Sequence, residues 1–223
     1  MQPDPACTLA SPLEVRALRT ASPWGAPVQV LEETSSSNDD LLRLGEEGAP
    51  EGSLVFAERQ TAGRGQFHRP WASAPGLGLW FSLLLRMEIN DSTIPVLSAF
   101  AAVALVQTAK TLGLANCVIK PPNDVLITGR KVAGILIETR NGRNPFAVVG
   151  IGLNVNHSST DFPPELQERA TSIAMASGAL HDRHHVAELL LSRLAENERL
   201  MREHPQSLMA RWNELQLSPL HLA

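Results

Sequence analysis

The sequence predicts one α/β domain built around a mixed, largely antiparallel central sheet that is flanked by helices. Residues 78–85 are almost continuously apolar, as expected of a buried central strand. The Ala/Val/Leu-rich segment from Pro95 to about Leu112 predicts a long buried helix. Three strand-like runs separated by tight turns between residues 124 and 153 predict an antiparallel meander. Because the elements do not form a strict βαβ series, a doubly wound nucleotide-binding fold fits less well.

The first elements follow from local signals. Residues 1–27 contain five prolines and little periodicity, which indicates an irregular arm. The apolar run 28–31 predicts a strand. Several capping residues in 34–38 then predict a short helix from Asp39 to about Glu46, closed by Gly48.

The remaining elements follow in the same way. Residues 53–57 predict a strand that leads into a polar, glycine-bearing loop at 61–71. The strands of the meander are expected at three places: 124–127, 131–138 and 146–153. Apolar residues at helical spacing predict a last helix from His184 to Glu203. We expect the domain to span residues 28–215, with a short tail at 216–223.

Composition excludes several kinds of protein. The chain has 223 residues, of which 43% are hydrophobic and 19% charged, so it can form a core. The net charge of −4 disfavours nucleic-acid binding through bulk charge, and we expect no DNA partner. With four Trp, six Phe and no Tyr, the chain also lacks the stacking residues of a single-strand binder.

The sequence predicts a cytoplasmic protein. Cys7 and Cys117 lie far apart in no metal-type spacing, which suits a reducing compartment. The start at residues 1–5 lacks the features of a signal peptide. The most apolar stretch, residues 96–106, is shorter than a bilayer requires, so we expect no membrane association. The seven histidines show no convincing ligand spacing, and we interpret them as solvated or capping residues.

Two polar segments are candidate ligand-binding sites. Gly63, Arg64, Gly65 and Arg69 form a loop whose glycines allow close approach to an anion and whose arginines match carboxylate or phosphate. The alternative is a surface turn with solvated charges. Ser36, Ser37 and Asn38 offer hydroxyls and an amide at a helix start, where they either bind a small polar group or cap the helix.

Two further segments complete the candidate site. Asp124 opens a strand and Lys131 follows a turn, so both are expected near hairpin ends, where a lysine can stabilise developing negative charge. An unremarkable surface turn is the alternative. The glycines of the run 150–156 indicate close approach of a ligand or another backbone, or else a bulge.

Together and in this order, these segments resemble the biotin protein ligases, or biotin–acetyl-CoA-carboxylase ligases, over roughly residues 28–212. The matching motifs are Thr-Ser-Ser-Ser-Asn-Asp at 34–39, Gln60, Gly-Arg-Gly-Gln-Phe-His-Arg-Pro-Trp at 63–71, Lys-Pro-Pro-Asn-Asp at 120–124, Lys-Val-Ala-Gly-Ile-Leu at 131–136 and Gly-Ile-Gly-Leu-Asn at 150–154. The resemblance implies a fold like that of class II aminoacyl-tRNA synthetases and the biotin and lipoate ligases.

The resemblance also implies roles for individual residues. The residues expected to bind biotin are Ser36, Ser37, Asn38, Gln60, Gly63, Arg64, Gly65, Gln66, Lys131 and Gly134. Those expected to bind ATP and the adenylate are Arg69, Trp71, Lys120, Asn123, Asp124, Lys131 and Asn154. Lys131, Arg64 and Arg69 would be catalytic, and Asp124 would contact Mg²⁺, with no tightly bound metal.

The implied activity is ATP-dependent ligation of biotin to a lysine of a biotin carboxyl carrier domain, through biotinyl-5'-AMP. The alternatives are a lipoate or octanoate ligase of the same fold and a non-catalytic biotin- or nucleotide-binding protein. A homodimer is a further option, which no residue of the sequence decides.

The sequence departs from the family pattern at several positions. Gln66 stands where the family usually has arginine, and His68 replaces a glycine, which suggests a loop that holds the adenylate less tightly. Pro121 replaces a tryptophan. The first motif begins at residue 34, and the chain ends soon after Trp212, so we expect neither a helix-turn-helix nor an SH3-like barrel.

Overall fold

The computed structural model describes residues 12–217, which form a seven-stranded mixed sheet with helices on both faces. The strands are β1 Val28–Thr34, β2 Leu54–Gln60, β3 Gly78–Arg86, β4 Cys117–Lys120, β5 Asp124–Ile127, β6 Arg130–Arg140 and β7 Phe146–Asn154. Their order in the sheet is β1-β2-β3-β7-β6-β5-β4. Only the β1–β2 pair is parallel among these strands. The predicted mixed, largely antiparallel sheet with its meander is therefore confirmed.

Six α-helices are found in the described part of the chain. They are α1 Val15–Ala21, α2 Ser37–Glu46, α3 Thr93–Thr111, α4 Ile173–Ser177, α5 Arg183–Glu203 and α6 Pro205–Glu214. The predicted helices correspond to α2, α3 and α5. The helix α2 begins two residues earlier than expected, because Ser36 takes the extended backbone conformation of an N-cap residue.

The two faces of the sheet bury different amounts of apolar surface, because successive side chains of a strand point to opposite faces. One face carries the large core, where α3 packs on β4–β7, and α5 and α6 pack on α3. The other face carries a small cluster beneath α2, formed by Leu41, Leu42, Val55, Leu84, Phe146 and Val148. Because α2 covers only part of this second face, the neighbouring surface of β6 and β7 is left for the site described below.

Three sequence expectations need correction. The predicted irregular arm contains α1, whose Leu18 is buried in the main core, while residues 1–11 lie outside the described part. The strand β4 was not predicted, because a four-residue edge strand carries little pattern of its own. Within the predicted tail, the Leu217 amide donates to the carbonyl of Ile119, and residues 218–223 lie outside the described residues.

The helix α3 is longer than the apolar stretch that the sequence singled out. Its 19 residues are long and apolar enough to cross a membrane by length and composition alone, so the expectation that the segment is too short was wrong. In the structure, 72% of its most apolar stretch is buried inside the protein. This is the burial expected of a core helix.

Candidate active site

A cavity of about 750 Å³ lies on the α2 side of the sheet, next to the first residues of that helix. It is lined by all but one of the residues proposed above as site residues: Ser36, Ser37, Asn38, Gln60, Arg64, Gly65, Gln66, Arg69, Trp71, Lys120, Asn123, Asp124, Lys131, Gly134 and Asn154. The exception is Gly63, which is buried and whose carbonyl accepts a hydrogen bond from the amide of Trp71 at 2.8 Å. The structure thus brings residues of all six matching motifs to one cavity.

Glycines on β6 and β7 make room for this cavity. A Cβ atom at Gly152 would lie 2.5 Å from the indole of Trp71, and one at Gly134 would lie 2.8 Å from the same ring. At Gly150 a Cβ atom would clash with Oδ1 of Asn38. These positions are regular in register, so the glycines mark close approach of side chains rather than a bulge.

One end of the cavity is polar and buried. The amide and the hydroxyl of Ser37 both donate to Oε1 of Gln60, at 2.8 and 3.2 Å. Ser36, at the N-cap position of α2, is only 4% exposed, and its side chain makes no capping hydrogen bond. Its hydroxyl is therefore available to a ligand, and simple capping does not explain the serine.

The loop at residues 63–71 closes on itself beside the cavity. The Gly65 amide donates to the Arg69 carbonyl at 2.8 Å, and Arg64 and Pro70 form an isolated antiparallel bridge. At the tip, Phe67 has a positive φ of 58° and is 84% exposed. Arg69 is exposed, lines the cavity and makes no ion pair with the described residues. Its charge is therefore available to a bound anion.

Arg64 is held by carboxylates from two elements. Its Nη1 and Nη2 donate to the two oxygens of Asp39 at 2.7 and 2.5 Å, and Nη2 also contacts both oxygens of Glu138 at 3.1 Å. These hydrogen bonds raise the pKa of Arg64 and hold the pKa of Asp39 below its usual value. A guanidinium has five N–H donors. Nε–H and one hydrogen of Nη1 have no partner among the described residues, so they are available to a substrate anion.

The other end of the cavity carries Lys131 and Asp124. The Nζ of Lys131 lies 2.6 Å from Oδ1 of Asp124 and 5.2 Å from the centre of the Trp71 ring. The main chain of Lys131 is fixed as well: its amide donates to the Arg169 carbonyl at 2.8 Å, and its carbonyl accepts from the Thr171 amide at 2.9 Å. Lys131 is therefore held at both its backbone and its ammonium group. A positive charge fixed in this way can stabilise negative charge that develops at one point of a bound ligand.

Two asparagines stabilise the walls at this end. Asn123 is 8% exposed, and its Nδ2 donates to the carbonyl of Ile135 at 2.8 Å. Asn154 is 4% exposed, and its Nδ2 donates to the Thr171 carbonyl at 3.0 Å. Lys120 is exposed at the rim. The first of these hydrogen bonds ties the residue before β5 to β6, and the second ties β7 to the segment that holds Lys131.

The residues at this end offer little to a bound metal ion by themselves. Asp124 is one carboxylate, and it is already paired with a lysine. No group of three or more His, Cys, Asp or Glu side chains within residues 12–217 is arranged to hold a metal. Such a donor set fits Mg²⁺ only when substrate phosphates supply most of the oxygen ligands, which is the usual arrangement for this ion with nucleotides.

Several residues of the site carry no signal in the sequence. The segment from Phe162 to Ala170 lines the Lys131 end, with Phe162, Glu165, Leu166, Glu168, Arg169 and Ala170 in the wall. Ser82 and Glu138 lie beneath the polar end and contact Asn38. Their positions depend on strand pairing and on a loop after β7, and no local motif identifies them.

His157 corrects the interpretation of the histidines as solvated or capping. His157 is 2% exposed. The centroid of its ring lies 4.9 Å from that of Phe162 in a stacked pair and 5.7 Å from that of Trp80 in an edge-on pair. Burial lowers the pKa of His157 to about 4, so the imidazole is neutral at physiological pH. The neutral ring extends an aromatic stack under the cavity wall.

Comparison with known proteins identifies the family. The family model for the biotin/lipoate A/B protein ligase family matches residues 29–156. The bifunctional ligase/repressor BirA of Bacillus spizizenii is 45% identical over 159 residues, covering 70% of this chain and 49% of its own. The biotin–[acetyl-CoA-carboxylase] ligase of Mycobacterium tuberculosis is 36% identical over 200 residues, covering 83% of this chain and 71% of its own.

The fold of this chain is also found among solved structures. Biotin protein ligase from Aquifex aeolicus in complex with biotin and ATP superposes with a TM-score of 0.74 at 29% identity, over 86% of this chain and 78% of that one. The chain spans about half the length of the Bacillus relative. On the family match and the similarity to the Mycobacterium ligase, the chain belongs to the biotin/lipoate A/B protein ligase family.

Proposed function

We propose that the chain is an ATP-dependent biotin protein ligase. It would join the carboxylate of biotin to AMP, with release of pyrophosphate, and then pass the biotinyl group to a lysine of a biotin carboxyl carrier domain. Relatives named as biotin–[acetyl-CoA-carboxylase] ligases support this proposal, as does the similar structure that is described as a complex with biotin and ATP.

One observation carries the proposal. A single cavity connects a buried end of hydroxyl and amide groups with an end that holds Lys131 against Asp124. Biotin has a polar ureido ring at one end and a carboxylate at the other, so it would span such a cavity with each end against complementary groups. The hydroxyl of Ser36, which caps nothing, would hydrogen-bond to the ureido ring.

In the first step, a carboxylate oxygen of biotin attacks the α-phosphorus of ATP, and the bond to the β-phosphate oxygen breaks to release pyrophosphate. Negative charge accumulates on the α-phosphate oxygens as this happens. Lys131 and Arg69 line the cavity where they can stabilise that charge, and two free donors of Arg64 can hold the carboxylate. Mg²⁺ would enter with ATP as part of the substrate, and the carboxylate of Asp124 would contact it.

In the second step, the neutral amine of a carrier lysine attacks the carbonyl carbon of the mixed anhydride. An amide bond forms, AMP leaves, and the amine loses a proton. The same positive groups stabilise the departing phosphate. The mouth of the cavity must therefore admit a lysine side chain from another protein. The loop at 63–71 lines the cavity and exposes Phe67 at its tip, so another protein can contact the loop beside the cavity.

The polar end distinguishes the proposal from lipoate or octanoate ligation. Ser36, Ser37 and Asn38 are each no more than 4% exposed, and an apolar acyl chain would leave the free hydroxyl of Ser36 without a partner. An unpaired buried group costs about 1–3 kcal/mol, which would disfavour such a substrate. The retained Lys131–Asp124 pair likewise argues against a binding protein without catalysis.

Pyrophosphate release with biotin, lipoate or octanoate as the acid substrate tests the proposal. We expect release that depends on biotin and is not stimulated by the other two acids. Release with lipoate or octanoate alone would favour the alternative ligase. Biotin binding by calorimetry without any pyrophosphate release would favour the binding protein.

We also propose that the protein acts in the cytoplasm, which is consistent with the buried, unpaired thiol of Cys117.

A further inference from the structure

Glu138 contacts two side chains that the proposed function places against biotin. Its Oε2 accepts a hydrogen bond from Nδ2 of Asn38 at 2.7 Å. Both of its oxygens lie 3.1 Å from Nη2 of Arg64. Glu138 itself does not line the cavity. It therefore acts on any ligand through Asn38 and Arg64 rather than by direct contact.

The contact with Asn38 fixes the direction of its amide group. Oδ1 of Asn38 accepts from the hydroxyl of Ser82 at 2.6 Å, while Nδ2 donates to Glu138. A carboxylate can only accept hydrogen bonds, whereas a serine hydroxyl can donate or accept. Nδ2 also donates to the carbonyl oxygen of Leu136, at the longer distance of 3.4 Å. Glu138, at 2.7 Å, is therefore the closer of the two acceptors that determine which end of the amide is the donor. Asn38 is 3% exposed and lies against Gly150, so the amide has little freedom apart from a flip.

The contact with Arg64 fixes the orientation of its guanidinium. Asp39 holds one edge of the group and Glu138 contacts Nη2, which leaves Nε–H and one hydrogen of Nη1 without a partner among the described residues. The two carboxylates come from different elements, α2 and β6. Arg64 consequently has one stable orientation, with its remaining donors available to an anion.

We propose that Glu138 is a positioning residue for biotin. It sets the donor–acceptor direction of Asn38 at the ureido end, and it orients Arg64 at the loop, so a single carboxylate aligns two groups that bind the same ligand. This inference rests on the proposed function. It predicts that the charge of Glu138 matters for biotin affinity and not for ATP affinity.

The variant Glu138→Gln tests the inference because it keeps the size of the side chain and removes its charge. The glutamine NH₂ would face either Arg64 or Asn38, both of which are donors, and a flip of Asn38 would relieve the conflict by reversing its amide. We expect the biotin Kd from calorimetry to rise by about tenfold or more, as for loss of a hydrogen bond to a charged group. The ATP Kd, measured without biotin, should stay within about twofold.

The double variant Asn38→Asp with Glu138→Gln provides a rescue. In Asn38→Asp alone, two carboxylates face each other where Asn38 and Glu138 now meet at 2.7 Å. With Glu138→Gln added, the new amide can donate to the new carboxylate and still accept from Arg64. We expect the double variant to bind biotin more tightly than Asn38→Asp alone.

Glu33→Gln is the matched control. Glu33 forms an ion pair with Arg59 at 2.7 Å, is 51% exposed in its side chain and does not line the cavity. We expect it to bind both ligands as the wild type does.

Unchanged biotin affinity in Glu138→Gln, or equal losses of biotin and ATP affinity with a lower Tm, would overturn the inference. A double variant that binds biotin more weakly than either single variant would also overturn it. Wild-type protein that binds no biotin would instead refute the proposed function.

Discussion

The side chain of Lys131 folds back over Gly134 to reach Asp124. Asp124 pairs with Gly134 across β5 and β6, and a Cβ atom at Gly134 would lie 3.2 Å from Cε of Lys131 and 3.3 Å from its Nζ. The ammonium group ends 2.6 Å from Oδ1 of Asp124. An irregularity between Val125 and Leu126 shifts the register here, which places Lys131 opposite Leu126. The glycine, the carboxylate and the register together decide where the charge lies.

Lys131→Met should abolish most adenylate formation. Methionine replaces the alkyl chain but not the ammonium group, so charge on the α-phosphate would lose its main stabilising partner. We expect the rate of biotin-dependent pyrophosphate release to fall about 100-fold to 1,000-fold. Lys110→Met, at the surface end of α3, is the control and should retain wild-type release. A Lys131→Met enzyme within about tenfold of wild type would refute the role given to Lys131.

Gly152→Ala should damage the site through Trp71. The new methyl group would lie 2.5 Å from the indole, so the ring must move away from β7. We expect the Kd of ATP to rise by about tenfold, because Trp71 lines the cavity beside Lys131. Adding Trp71→Leu removes the clash. If the damage is due to this contact, the double variant should recover part of the overall stability, measured as Tm, that Gly152→Ala loses.

Ser36→Ala should weaken biotin binding without destabilising the fold. The hydroxyl makes no capping hydrogen bond, so its loss should change the free energy of unfolding by less than about 0.5 kcal/mol. The biotin Kd should rise about fivefold to tenfold through loss of one hydrogen bond. Asp182→Ala is the opposite case, because Asp182 accepts from the His184 amide at 2.9 Å as the N-cap of α5. That variant should lose about 1 kcal/mol of stability and keep biotin affinity.

Gln66→Arg should slow the release of biotinyl-5'-AMP. Gln66 lines the cavity at the position where the family usually has arginine, and an added positive charge would attract the adenylate phosphate. Stopped-flow fluorescence of the preformed complex would give the off-rate of the intermediate. An off-rate equal to that of the wild type would show that this position does not control retention of the adenylate.

Acid should destabilise the protein through His157. Its pKa is lowered from the ordinary value of 6.5 to about 4 in the folded state, so the unfolded chain takes up the proton first as the pH falls. The stabilising contribution is therefore complete above pH 6.5 and is lost as the pH falls toward 4. Between about pH 7.5 and about pH 5, this linkage amounts to about 2 kcal/mol.

Urea unfolding of wild type and His157→Phe at these two pH values measures the effect. Phenylalanine keeps a ring against Phe162 but does not titrate. We expect the variant to lose about 2 kcal/mol less than the wild type between the two pH values. Equal losses in the two proteins would show that His157 is not responsible for the pH dependence.

The sequence predicted the parts of the fold that have strong local signals. The apolar run of β3, the turn at residues 128–130 and the long segment of α3 each identify an element without reference to the rest of the chain. The edge strand β4 and the helix α1 have no such local signal. Four residues carry little periodicity, and β4 is defined by its pairing with β5 and with residues near Leu217. Likewise, α1 is stabilised by burial of Leu18 in the main core.

The candidate site also contains residues with a local signal in the sequence and residues without one. Motif residues such as Ser36 and Lys131, which the structure places at the cavity, could be selected from the sequence because each stands in a recognisable segment. Glu138 could not, because it lies 100 positions from Asn38 and 74 from Arg64, and only the pairing of β6 with β7 and the packing of α2 bring them together. The buried state of His157 likewise depends on the stacking of Phe162 against it.

The most direct test of the proposed ligase activity is the intact mass of a biotin carboxyl carrier domain after incubation with this protein, biotin, ATP and Mg²⁺. We predict one biotin adduct on the target lysine of the carrier, and its loss when Lys131→Ala replaces the wild-type protein. Labelling scattered over several lysines would indicate adenylation followed by release of the intermediate. A carrier that gains no mass, while calorimetry shows biotin bound to the protein, would contradict the ligase activity and leave a biotin-binding protein.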